Sequence, residues 1–244
     1  DIIVSRTIKL IGIGESTLAG KLEHVLKDKN DIEVAFIPRD SLVDIRLTAY
    51  GKKESDLKKK IRKTEKEIIQ TVPEKIYGFD ADTIERVVGD LLRRKNLTLA
   101  VAESCTGGLL GDRLTSVPGS SDYFIQGVIT YSNESKIKLL SVSPETLLKT
   151  GAVSEETAAE MAEGIKKKSG SDIGISITGI AGPSGGTPEK PVGLVYIGLS
   201  DSHRTTVKKL MQRYGLERQR IKLRSAYTAL NLIRLHLLDS NIYK

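Results

Sequence analysis

The stretch LTLAVAESCTGG (Leu97–Gly108) decides the fold of the larger part of this chain. Its first six residues, Leu97–Ala102, are mostly apolar and predict a buried strand. The two glycines interrupt this pattern, and Thr106–Thr115 is predicted to form a helix that contains them early. A strand that runs through a tight turn into a helix is the building block of layered α/β domains. Ser104 stands at the end of the strand, where open α/β sheets usually bind ligands.

Strands and helices continue to alternate on both sides of this stretch. Asp82 and Glu85 form a capping-box pattern, which predicts the start of a helix that ends at Arg94. Ser132, Ser143 and Ser154 are predicted helix caps. The other predicted elements are strands at Phe124–Tyr131, Asp172–Thr178, Val192–Leu199 and Arg204–Leu210, and a closing helix at Leu216–Leu238. We therefore predict that residues 77–244 form an α/β domain whose sheet is covered by helices on both faces.

The first 76 residues follow a different order, β-α-β-β-α. The predicted strands are Arg6–Ile13, Ile32–Ile37 and Leu42–Tyr50. Ser16 is predicted to cap a helix over Thr17–Lys27, and a second, highly charged helix is predicted to end at Pro73. We interpret Pro73–Asp82 as a linker. Residues 1–76 are thus expected to form a small α+β domain.

Composition excludes several kinds of site. The 244 residues include one Cys and three His, so we expect no disulfide framework and no metal centre built from Cys or His. No apolar run approaches the roughly 20 residues that span a bilayer, and the start of the chain does not resemble a signal peptide. A cytoplasmic protein without membrane contact is the expectation. The chain begins with Asp rather than Met, which suggests a fragment of a longer protein.

The first polar cluster is Glu103–Gly108. The hydroxyl of Ser104 is a candidate nucleophile, and the backbone N–H groups of Cys105, Thr106, Gly107 and Gly108 are expected to be available to stabilise an oxyanion. A helix cap with closely packed glycines is the structural alternative. The thiol of Cys105 is a second candidate nucleophile, but a buried and inert cysteine is the favoured interpretation.

The second cluster is Tyr131–Lys136. A serine nucleophile needs a base, and none of the three histidines lies in a sequence context typical of a Ser-His-Asp triad. A lysine can act as the base when burial or nearby cations lower its pKa. Lys136 is the candidate, with Tyr131 either orienting it or relaying a proton. The alternative is an ordinary surface lysine on an amphipathic helix.

The third cluster is the glycine-rich stretch Thr178–Gly186, which Lys190–Gly193 follows. Such a loop can bind phosphate through its backbone N–H groups. It matches neither the P-loop pattern nor the dinucleotide-binding pattern. A long connection between two strands of a hairpin is the alternative.

The motifs AESCTGG, TYSNESK, GAVSEETA, ITGIAGPSGG and KPVG occur in this order between Ala102 and Gly193. Together they resemble the C-terminal domain of the CinA family (competence/damage-inducible protein A), whose single-domain members are nicotinamide mononucleotide deamidases. The resemblance covers Asp80–Leu238, and residues 6–76 resemble the KH-like middle domain of the longer family members. It implies that a molybdopterin-binding-like domain precedes Asp1 in the full-length protein, and that the associated ADP-ribose pyrophosphatase activity is missing here.

The resemblance also implies roles for individual residues. Ser104 is then the nucleophile, Lys136 its base, and Tyr131 an assisting group. The other substrate-binding positions are Cys105, Thr106, Gly107, Gly108, Thr178, Gly179 and Arg218. The implied substrate is nicotinamide mononucleotide, hydrolysed without a cofactor by a homodimer. Leu216-Glu217 departs from the Gly-Asp or Gly-Asn pair that often precedes this arginine in the family, which puts the local loop in doubt.

Two other functions stay open at this point. The departure at Leu216-Glu217 is compatible with a weakly catalytic nucleotide sensor or scaffold protein. The net charge of +7 and the sequence pI of about 9.3 are compatible with nucleic-acid binding. However, the positive excess is divided evenly between the two predicted domains, and residues 1–76 lack the G-x-x-G sequence with which KH modules bind the nucleic-acid backbone. Nucleic acid is therefore not the expected partner.

Overall fold

The computed structural model describes residues 1–27, 29–212 and 215–239. The chain forms two compact units, the first comprising Asp1–Val87 and the second starting at Val88. Among the described residues, none of the helices combines the length and the apolar composition needed to cross a bilayer. The same residues contain no group of three or more His, Cys, Asp or Glu side chains that could hold a metal ion.

The first unit is an antiparallel sheet with two helices. Its elements are β1 (Ile2–Ile11), α1 (Glu15–Leu26), β2 (Glu33–Arg39), β3 (Leu42–Gly51), α2 (Glu54–Thr71) and β4 (Ile76–Phe79). The strands lie in the order β2-β3-β1-β4. Apolar residues of α1 and α2 pack with those of the sheet into one core, which includes Leu22, Ile45, Leu47, Ile61 and Ile68. This arrangement is the expected small α+β domain.

Two predictions for the first unit are wrong. Pro73–Asp82 is not a linker, because it contains β4, which pairs with β1 as the fourth strand of the sheet. This strand has only four residues and one is glycine, so its sequence pattern is too short to be recognised. The sheet of the first unit therefore continues to Phe79. Ser16 does not cap α1, which begins at Glu15 without a side-chain cap.

The second unit is built on a five-stranded mixed sheet. Its strands are β5 (Leu99–Glu103), β6 (Phe124–Ile129), β7 (Ile173–Gly179), β8 (Leu194–Ser200) and β9 (Thr205–Met211), in the order β6-β5-β7-β8-β9. β5 pairs in parallel with β6 and β7, whereas β8 and β9 complete the sheet with antiparallel pairing. The helices are α3 (Ile84–Lys95), α4 (Leu109–Thr115), α5 (Asn133–Leu140), α6 (Pro144–Thr150), α7 (Glu155–Ser169) and α8 (Arg218–Leu238).

Helices cover both faces of this sheet. The hydroxyl of Ser176 in β7 donates a hydrogen bond to the Ala158 carbonyl of α7, so α7 lies on that face. Gly198 of β8 lies against the same carbonyl, where a β-carbon would come within 2.4 Å of the oxygen. Side chains alternate along a strand, so the neighbours of Ser176 point to the opposite face. There α4 and α8 contact the sheet and each other. The second unit therefore has the predicted three-layer α/β/α architecture.

The helix starts were predicted with mixed success. Ser132, Ser143 and Ser154 all cap helices, each accepting a hydrogen bond from a backbone N–H in the first turn. Asp82 does not cap α3, because its carboxylate accepts the N–H of Phe79 instead. The helix predicted from Thr106 begins only at Leu109. Gly107 and Gly108 both have positive φ angles, of 63° and 97°, which an α-helix cannot contain.

Candidate active site

Three strands end close together around Ser104. Ser104 is the first residue after β5, and its N–H donates to the Ile177 carbonyl of β7 at 2.9 Å. The N–H of Thr130, directly after β6, donates to the Glu103 carbonyl of β5 at 2.7 Å. Because the three strands run parallel, their carboxyl ends meet at one edge of the sheet, the usual ligand-binding position in such folds.

Lys136 lies in the first turn of α5 and reaches back to this edge. Its Nζ is 3.2 Å from the Ser104 Oγ, 2.7 Å from the Thr130 carbonyl oxygen and 3.5 Å from the Tyr131 carbonyl oxygen. The Ser132 cap fixes the start of the helix and hence the position of Lys136. Only 1% of the lysine is exposed, and this burial lowers its pKa below the ordinary value of 10.5. The alternative interpretation of Lys136 as an ordinary surface lysine is therefore wrong.

The turn after Ser104 offers fewer free N–H groups than predicted. The Gly107 N–H donates to the Ser104 carbonyl, and the Gly108 N–H donates to the Glu103 carboxylate, each at 3.1 Å. The prediction that these two groups are available to an oxyanion is therefore wrong. In contrast, the N–H groups of Cys105 and Thr106 have no hydrogen-bond acceptor within the described parts of the chain.

Glu103 has a role that the sequence analysis missed. Its carboxylate is only 2% exposed and accepts hydrogen bonds from the N–H groups of Gly108, Leu110 and Gly111, at 3.1, 3.1 and 2.8 Å. These bonds tie the start of α4 to the end of β5 and so hold the intervening turn. The sequence contains a signal for this role, because Glu103 is an acidic residue at the end of an otherwise apolar strand. A carboxylate that is buried in such a strand needs several hydrogen-bond donors.

Replacing Glu103 with glutamine should destabilise the protein by about 2 kcal/mol, because the amide presents an NH₂ group to donors that need an acceptor. The free energy of unfolding, measured with urea, checks this value. The control is Glu156→Gln, an exposed residue in the first turn of α7, where we expect less than about 0.5 kcal/mol. Equal losses in the two variants would contradict the assigned role.

Cys105 is an unsuitable nucleophile. The residue is 5% exposed, and burial raises the pKa of its thiol to about 12, with the neighbouring Glu103 charge contributing. A thiol with this pKa is almost entirely protonated near neutral pH and reacts slowly. Of the two adjacent candidates, Ser104 is the one whose side chain is hydrogen-bonded to Lys136.

Tyr131 and Arg218 form a second part of the site. The Nη2 of Arg218 donates to the Tyr131 hydroxyl at 3.0 Å, and its Nη1 donates to the Gly182 carbonyl at 2.8 Å. The tyrosine is 62% exposed, and its contact with Lys136 is through its backbone carbonyl. Arg218 reaches this position even though Leu216 and Glu217 precede it.

Thr178 and Gly179 stand at the end of β7, as predicted. The Thr178 hydroxyl donates to the Ala152 carbonyl at 2.6 Å. Gly179 packs against β8, where a β-carbon would come within 2.6 Å of a Val195 methyl group. The loop that follows is held by Lys190, whose ammonium donates to the Thr150 carbonyl. This loop connects β7 to β8, which pair as an antiparallel hairpin. The alternative given for the third cluster, a connection between two strands of a hairpin, therefore describes the position of the loop correctly.

Comparison with known proteins agrees with this architecture. The family "CinA C-terminal domain" matches residues 81–237, and the family "Damage-inducible protein CinA KH domain" matches residues 5–78. The CinA-like protein of Kosmotoga olearia is 45% identical over 237 residues, which are 97% of this chain and 57% of that relative. The chain thus spans just over half the length of this relative.

Solved structures of similar proteins match about two thirds of the chain. The competence/damage inducible protein CihA of Agrobacterium tumefaciens is 38% identical with a TM-score of 0.60, over 63% of this chain and 93% of that chain. A competence-damaged protein (CinA) superfamily protein of Escherichia coli is 33% identical with a TM-score of 0.59, over 64% and 92% of the two chains. The two family matches follow each other along the chain and together cover nearly all of it. The chain therefore belongs to the CinA family.

Proposed function

We propose that this protein hydrolyses the carboxamide of nicotinamide mononucleotide to nicotinate mononucleotide and ammonia, with Ser104 as nucleophile and Lys136 as base. The observation that carries the proposal is the 3.2 Å distance between the Lys136 Nζ and the Ser104 Oγ. A buried lysine beside a serine is a known alternative to histidine in nucleophilic catalysis.

The surroundings of Lys136 favour its neutral form. Among the described residues, its other hydrogen-bond partners are two backbone carbonyls, which carry no full negative charge. A neutral amine can donate its two N–H groups to these carbonyls and direct its lone pair at the Ser104 hydroxyl. Burial lowers the pKa of Lys136, and a lower pKa increases the fraction of neutral amine at a given pH.

The reaction follows from this arrangement. Ser104 Oγ attacks the carboxamide carbon while Lys136 takes the hydroxyl proton. The N–H groups of Cys105 and Thr106 stabilise the oxyanion that forms, and such a donor is typically worth about 3–4 kcal/mol. The Lys136 ammonium then protonates the amide nitrogen, which leaves as ammonia when the C–N bond breaks, and an acyl-enzyme remains on Ser104. A water molecule, deprotonated by the same lysine, attacks the ester carbon. The lysine then returns the proton to the Ser104 Oγ as the ester bond breaks, which releases nicotinate mononucleotide.

The test is an assay for both products. Purified protein is incubated with nicotinamide mononucleotide, ammonia is measured by a coupled enzyme assay, and nicotinate mononucleotide is measured by chromatography. We expect both products in equal amounts and without added metal. If neither product forms above the blank, the protein does not have this activity, and a nucleotide-sensing role becomes the better hypothesis.

A further inference from the structure

Lys222 is a cation beside the nucleophile turn that the sequence analysis did not single out. It lies on α8 one turn after Arg218, and residues four apart share one face of a helix. A β-carbon built on Gly107 would lie 3.7 Å from the Lys222 Nζ, so the ammonium sits against the turn that follows Ser104.

The ammonium of Lys222 differs from the neighbouring cations in its lack of an internal partner in the part of the chain that the structure describes. Within the described residues it has no hydrogen bond or ion pair, although the side chain is partly buried. By comparison, Arg218 uses both terminal nitrogens on Gly182 and Tyr131, and Lys190 is bonded to a backbone carbonyl. A partly buried ammonium without an internal partner is stabilised when a ligand supplies the anion.

The Lys222 ammonium is close enough to Ser104 to contact a substrate that is bound there. The Gly107 N–H donates to the Ser104 carbonyl, which closes a turn whose ends are less than about 7 Å apart. The Lys222 ammonium, which lies beside Gly107, is therefore within roughly 12 Å of the Ser104 Cα. In a mononucleotide, the ribose separates the reacting carboxamide from the phosphate. Free nicotinamide lacks both the ribose and the phosphate.

We propose that Lys222 is a specificity-determining residue that binds the phosphate of the substrate, whereas Arg218 acts as a positioning residue for Tyr131 and the loop at Gly182. This inference rests on the proposed function, because it assigns one end of the same substrate. The chemistry recognised is a terminal phosphate monoester, whose charge a lysine ammonium binds as a point charge.

The kinetic test compares two substrates that differ only in the phosphate. Lys222→Met should raise KM for nicotinamide mononucleotide about 10- to 100-fold with kcat within about threefold, and lose far less kcat/KM with nicotinamide riboside. Lys222→Arg, which keeps the charge, should restore most of the nucleotide preference. Lys167→Met, at the exposed end of α7, is the control. An unchanged KM for the nucleotide, or equal losses with both substrates, would overturn the proposal.

A binding measurement separates this proposal from the proposed function. Inorganic phosphate is titrated calorimetrically into the wild type and into Lys222→Met, with no turnover required. Phosphate binding that is lost in Lys222→Met supports the phosphate site even if the wild type releases no ammonia from the nucleotide. Binding of phosphate that is equal in the two proteins, or absent from both, overturns the site whatever the activity.

Discussion

Replacement of Lys136 with methionine is expected to lower kcat for nicotinamide mononucleotide about 10³-fold. Methionine has a similar length but cannot accept the Ser104 proton, and general base catalysis typically contributes 10²- to 10⁴-fold. The variant should not unfold, because an apolar side chain replaces an amine that is almost completely buried. We expect its Tm to equal or exceed that of the wild type, measured by calorimetry beside the ammonia assay.

Lys138→Met is the matched control in the same helix. Lys138 forms an exposed ion pair with Glu134, and such pairs contribute little to stability. This variant should keep kcat within about twofold and change Tm only slightly. If Lys136→Met retained more than a tenth of the wild-type kcat, the lysine would not be the base.

Replacement of Ser104 with alanine has the largest expected effect, a loss of kcat of about 10⁴-fold or more. The change removes the only atom that forms the covalent bond to the substrate, while Lys136 and the N–H groups of the turn remain. Nucleotide binding should persist, because the carboxamide and phosphate ends keep their other contacts. Ammonia release and calorimetric titration with nicotinamide mononucleotide measure the two properties separately.

Two controls identify the nucleophile. Ser202→Ala, an exposed serine between β8 and β9, should leave the rate unchanged. Ser104→Cys keeps a nucleophile in place and should recover covalent chemistry, detected as an acylated protein by mass spectrometry after acid quenching. Ammonia release by Ser104→Ala at a rate near that of the wild type would exclude the serine mechanism.

The sequence predicts the layered fold because its signals are local. Apolar runs, capping serines and the glycines after Glu103 each specify the backbone within a few residues of themselves. Short elements are harder to predict, since β4 has four residues and contains Gly78. It forms because β1 offers an unpaired edge, and that pairing joins residues about 70 positions apart in the chain.

The site was predictable in its residue types and less so in its hydrogen bonds. Ser104 and Lys136 were identified as a candidate pair, but their proximity depends on how β5, β6 and α5 pack, which spacing alone does not determine. Glu103 was missed as a contributor because its three donors belong to a turn whose shape depends on tertiary structure. Lys222 could have been found, since it lies one helical turn from Arg218.

The pH dependence of kcat/KM for nicotinamide mononucleotide tests the neutral-lysine mechanism most directly. Lys136 acts as a base only after losing its proton, and burial lowers its pKa below 10.5. Below the pKa of Lys136, kcat/KM of the wild type should therefore rise with pH, by up to about tenfold per unit, and it should level off above that pKa, which lies below 10.5. The residual activity of Lys136→Met should lack this rise. A wild-type rise that levels off only above pH 10.5, or a rise that persists in Lys136→Met, would contradict the account.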